Sequence, residues 1–88
     1  QYMNINDLIA IVKKKLNKEI IIEKIDILDK SFLHKTHTGY QDGKFHLKLI
    51  IKSEELSKLN RIESNKKIYK VLDKELKETI HSIQILIT

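Results

Sequence analysis

The sequence predicts a small α+β domain, α/β in the broad sense, in which a three-stranded mixed sheet carries its helices on one face. Three observations lead there. Phe45, Leu47, Leu49 and Ile51 alternate with His46 and Lys48, the period-two signature of a strand with one buried face. Ile83, Ile85 and Ile87 alternate with Ser82 and Gln84 in the same manner. Between and before these runs, apolar residues recur at helical spacing against a background of lysines and acids.

The elements follow in order. From Asn6, the segment NDLIAIVKKKL sets Leu8, Ile9, Ile11, Val12 and Leu16 on one helical stripe. Asn4 or Asn6 serves as N-cap and Asp7 stands near the positive helix end. Lys13, Lys14 and Lys15 are expected in the last turns, where cations offset the dipole, so that run needs no ligand to explain it. After Asn17, EIIIEKIDILD is rich in β-branched residues, and Ile21, Ile25 and Ile27 share a parity, which predicts a strand ending near Asp29.

SFLHKTHTGYQDG then forms a loop too long for a tight hairpin, carrying Gly39, Gly43, His34 and His37. The alternating strand KFHLKLIIKS comes next. Ser53 caps a short helix begun by Glu54 and Glu55, and Asn60 caps a longer one, RIESNKKIYKVLDKELK, with Ile62, Ile68, Tyr69, Leu72 and Leu76 as its stripe. IHSIQILIT closes the order α-β-β-α-α-β. The first two strands should pair antiparallel, and a helical crossover should return the third parallel to the second, right-handedly.

At 88 residues with 41% hydrophobic content, the chain is expected to form a single domain over residues 1–88 with a real core. Sixteen isoleucines supply branched aliphatic side chains suited to sheets. The sequence has no cysteine, which excludes disulfides and a thiolate metal site made by this chain alone. The absence of a long uncharged apolar run points to a cytoplasmic location. Seventeen basic residues against 12 acidic ones give a net charge of +5, and all but Arg61 of the bases are lysine. That pattern reads as a solvated, self-repelling surface rather than a base-reading one, for which arginine forks are the common tool. Enzymatic catalysis is not expected: there is no cysteine nucleophile, no Ser-His-Asp ordering and no phosphate-cradling glycine loop.

Taken as residues alone, the histidines read plainly. His81 shares parity with Ile83 and Ile85 and reads as a partly buried imidazole satisfied by a carbonyl, His34 and His37 as solvated loop side chains, and His46 as surface. Zinc on His34, His37 and His81 would lack a fourth soft ligand.

The order of elements and three stretches together resemble the BolA-like family, whose fold is similar to the class II KH arrangement. These are IDILDKSFLH, KFHLKLIIKSEEL and NKKIYKVLDKELKETIHSIQILIT, within a likeness running from Leu8 to Thr88. The last is the most specific: Glu75 and Leu76, then Ile80, His81, Ser82 and Ile83, reproduce a family signature. Leu56-Ser57-Lys58 stands where the family usually has Phe-x-Gly, and Ser64-Asn65-Lys66 where it has Arg-His-Arg. The GxxG loop of true KH domains, which clamps a nucleic-acid backbone, is missing, since Gly39 and Gly43 lie between strands.

The resemblance implies a heterodimer with a monothiol glutaredoxin and a shared 2Fe-2S cluster. The partner's cysteine and a glutathione thiolate would bind one iron, and His81 with His34, or alternatively His37, the other. Because imidazole ligates only when neutral, cluster loss is expected on acidification. The free protein would be a monomer or weak homodimer. The family also includes members described as transcription regulators, which implies a rival reading in which Lys66, Lys67, Lys70 and Lys74 contact DNA phosphates from a helix-turn-helix-like pair over Ser53 to Leu76.

Overall fold

A computed structural model describes residues 4–30 and 45–88. The order is α1 (Ile5–Glu19), β1 (Lys24–Asp29), β2 (Phe45–Lys52), α2 (Glu54–Ser57), α3 (Arg61–Val71), α4 (Asp73–Glu78) and β3 (Ile80–Ile87). The sheet order is β1-β2-β3, with β1 antiparallel to β2 and β3 parallel to β2, the mixed sheet expected from the pattern.

Caps set the helix starts. The Asp7 N–H donates to Asn4 Oδ1 at 2.8 Å, the Leu56 N–H to Ser53 Oγ at 3.2 Å, and the Glu63 N–H to Asn60 Oδ1 at 2.8 Å. Each occupies one of the amides that a helix amino end leaves without a partner. α1 runs on to Glu19, so Lys13, Lys14 and Lys15 lie short of its last turn, and Lys18 is the cation at that end.

The core lies between the helices and one sheet face. Leu47, Leu49 and Ile51 of β2 present 0–2% of their surface and meet Leu8, Val12 and Leu16 of α1 with Leu56, Ile68 and Leu72. Each such side chain contributes about 1.5–3 kcal/mol through removal from water. Ile25 and Ile27 of β1 and Ile83, Ile85 and Ile87 of β3 pack against the margin of this cluster.

Two further expectations, about the first strand and the long helix, need correction. Ile21 does not belong to a strand and is 75% exposed, because β1 begins at Lys24. The preceding segment is held through its polar groups instead: the Ser53 hydroxyl donates to the Ile21 carbonyl, the Ile21 N–H to Glu55 Oε1, and the Glu54 N–H to Glu23 Oε1. The long helix is also interrupted. Leu72, at φ −99° and ψ 18°, ends α3 and precedes α4. The buried positions are Ser64, Ile68, Leu72 and Glu75, while Ile62 is 74% exposed and Tyr69 is exposed as well. The stripe is therefore rotated from the apolar one, and small or charged side chains occupy two of its positions.

Candidate functional site at the start of the third strand

The site arises where α4 runs into β3. Thr79 ends α4 with its N–H on the Glu75 carbonyl at 2.8 Å, and its own carbonyl accepts the Phe45 N–H at 2.9 Å. This fixes the first residue of β2 beside the first of β3. The pairing then slips: Phe45 stands opposite Ile80, but His46 stands opposite Ser82. His81 is the extra residue, a β-bulge, which breaks the inward-outward alternation between buried Ile80 and half-buried Ile83. Bulges re-aim single side chains, and this one leaves His81 exposed rather than partly buried as its parity with Ile83 suggested.

His46 departs from expectation in the opposite sense. Alternation places it on the sheet face away from the helices, yet it is only 7% exposed. Its Nδ1 lies 2.7 Å from Ser82 Oγ, the hydroxyl of its cross-strand partner. Its ring also stands 4.9 Å from that of His81, centroid to centroid, at an interplanar angle of 53°. When the His46 Nδ1–H donates to Ser82, Nε2 carries the lone pair, the tautomer a ligand requires.

A tilted ring pair at 4.9 Å lies in the ordinary range of aromatic contacts. It is also the separation, roughly 5 Å, that two imidazoles bound to one ion at about 2.0–2.1 Å would have, so the spacing is compatible with a common ion without requiring one. The donors fit the nitrogen half of a mixed imidazole–thiolate centre. Among the described residues no group of three or more histidine, cysteine or acidic side chains gathers to hold a metal, so any such centre here draws further ligands from elsewhere. His34 and His37 lie outside the described residues. His46 is the residue that sequence reasoning missed; the histidine at the head of a clear strand was a visible signal, but its proximity to His81 depends on the bulge.

Three lysines of the rival reading, Lys66, Lys67 and Lys70, line one shallow hollow on α3 together with Glu63. Lys66 and Lys70 are exposed on α3 and Lys74 on α4, with no ion pair among the described residues, whereas Lys67 is engaged by Glu55. The Lys67 hydrogen bond, aided by the Ile21 N–H, holds the Glu55 carboxyl below the usual glutamate range. α2 is a single turn of 4 residues, short for the supporting helix of a helix-turn-helix. A cleft of about 510 Å³ lies between α1 and α3, lined by Lys15, Lys18, Lys67 and Lys70 with Glu19 and Val71, and neither histidine is among its lining residues. No described helix is long and apolar enough to cross a membrane.

Comparison with known proteins bears on this arrangement. A family profile described as BolA-like protein matches residues 16–88. A relative from Haemophilus influenzae, named DNA-binding transcriptional regulator BolA, is 27% identical over 75 residues, covering 85% of this chain and 70% of that protein. Among solved structures, BolA1 from Arabidopsis thaliana superposes with a TM-score of 0.74 at 24% identity, covering 89% of this chain and 86% of the other. The BolA domain of SufE1 from the same plant gives 0.74 at 25% identity, covering 90% and 87%.

Proposed function

The chain belongs to the BolA-like protein family, and on that premise we propose that it is a non-enzymatic cytoplasmic adaptor that pairs with a monothiol glutaredoxin and contributes imidazole nitrogen to a bridging 2Fe-2S cluster. The observation that carries this reading is His81 exposed on a bulge with a second imidazole, His46, at 4.9 Å. A thiol-free chain can enter a cluster site through such donors, and histidine in place of thiolate raises a 2Fe-2S potential. The partner's cysteine and glutathione supply the sulfur ligands of one iron. This chain supplies His81 and a second imidazole to the other, from His34 or His37 by family resemblance or from His46 by proximity.

A bound cluster supplies the redox and iron-donating chemistry used in cluster trafficking or iron sensing. The chain's own residues present and orient donors. Thr79 and Phe45 fix the strand starts, the bulge turns His81 outward, and the hydroxyl of Ser82 holds the His46 ring through Nδ1.

The test is to copurify the protein with a monothiol glutaredoxin and glutathione and record visible circular dichroism. His81→Ala should change the spectrum and shorten the lifetime of the mixed complex, and an unchanged spectrum and lifetime would reject ligation by His81. His34→Ala, His37→Ala and His46→Ala, each made singly, assign the second imidazole.

DNA binding is the second reading, favoured by the exposed Lys66 and Lys70, which make no ion pair among the described residues, and by the name of the Haemophilus relative. A salt titration of duplex binding discriminates: sequence preference surviving at high salt supports it, and uniform loss across sequences reduces it to lysine electrostatics.

A further inference from the structure

The two edges of the sheet are built differently. β1, with sequence KIDILD, places Lys24, Asp26 and Asp29 along its length, and charges of that kind deter a further strand from pairing. β3, with sequence IHSIQILI, has eight residues, no lysine, arginine or acid and no proline. Among the described residues it pairs only with β2, so its outer backbone groups have no ladder partner. Such an edge is a template for strand addition.

A slot of about 280 Å³ lies at the carboxyl end of this edge. Its wall is more polar than apolar: Ser57, Arg61, Ser64 and Asn65 supply polar groups, while Leu59, Ile85, Leu86 and Ile87 supply an apolar part. Arg61 is the only arginine of the chain. It is the first residue of α3, is exposed and makes no ion pair among the described residues. Its planar fork matches a carboxylate, and the amino end of the 11-residue helix adds potential of the same sign.

From this juxtaposition we infer that the free edge of β3 receives an extended, acidic peptide segment of a partner protein, added as a fourth strand. An aliphatic side chain of the segment enters the slot and a carboxylate meets Arg61. A second copy of the chain fits less well, because each copy carries a net charge of +5 while an acidic segment is attracted. The slot is separate from the histidine pair, since it uses residues 85–87, while the added strand runs along the edge toward His81 at the amino end of β3.

The experiment is a ¹⁵N amide titration of the full chain with a synthetic eight-residue peptide of alternating valine and threonine ending in a free glutamate. Shift changes should concentrate on residues 80–87 and Arg61, with outer-edge β3 amides exchanging at least several-fold more slowly. Arg61→Gln should weaken binding by about tenfold, the loss of one charge-assisted contact. Leu86→Lys, at a position already 46% exposed, places a charge on the edge and should weaken binding without altering the fold.

Three results would overturn the inference. The β3 amides could stay unprotected at millimolar peptide, a lysine-ended amidated peptide could bind equally well, or the same amides could become protected by raising protein concentration alone as a dimer sediments. The last would make a second copy the occupant.

Discussion

Lys15 reaches Glu75 from α1 to α4 at 2.6 Å, and Lys67 reaches Glu55 from α3 to α2, yet the two pairs occupy different surroundings. The Glu75 side chain is 7% exposed and that of Glu55 29%. Glu75 Oε2 takes the lysine while Oε1 is buried and has no hydrogen-bond partner among the described residues. Glu55 uses both oxygens, one toward Lys67 and one toward the Ile21 N–H. Burial makes the first pair conditional: a carboxylate that has left water depends on its one lysine, whereas the second remains hydrated when its partner is lost. The buried tie also matters more to the site, since α4 leads directly into Ile80 and His81.

The largest expected effect follows from leaving the buried carboxylate alone. Lys15→Ala should cost about 2–3 kcal/mol, below the usual range for a broken buried pair because the Lys15 side chain is itself 37% exposed. Replacing both members with apolar residues, Lys15→Met with Glu75→Leu, should recover most of that loss, since it removes the uncompensated charge and the orphaned oxygen together. Urea midpoints of the single and double variants measure the difference. A double variant as damaged as Lys15→Ala would mean that helix packing, not charge burial, sets the cost.

The same pair marks where the sequence stopped being legible. The second strand was readable because Leu47, Leu49 and Ile51 obey a local period, and the caps because Asn4, Ser53 and Asn60 act within three residues of themselves. The phase of α3 and α4 was not, because Ser64 and Glu75 take buried positions that an apolar pattern assigns to solvent, while Ile62 is left out. The break at Leu72 carries no proline or glycine to announce it. At the candidate site, the resemblance singled out His81, but His46 came into view only through the parallel register and its bulge. That register joins residues more than 30 positions apart, and period-two reasoning within one strand contains nothing about its neighbour's offset.

The exposed pair should show the smaller effect and a particular pH dependence. Glu55→Gln keeps an oxygen for the Ile21 N–H and removes the charge facing Lys67. The Glu55 carboxyl is lowered in the folded protein, chiefly by its Lys67 hydrogen bond and then by Ile21, so in the window below the ordinary glutamate range the unfolded chain binds the proton first. Its contribution is therefore complete above the ordinary range and is lost as pH falls through the lowered value. The stability difference between the native protein and Glu55→Gln should be small at pH 7, steady down to the ordinary glutamate range, and vanish below it. Urea midpoints at a series of pH values follow this directly. A difference that stays constant into strong acid would show that the carboxylate's charge is not what joins α2 to α3.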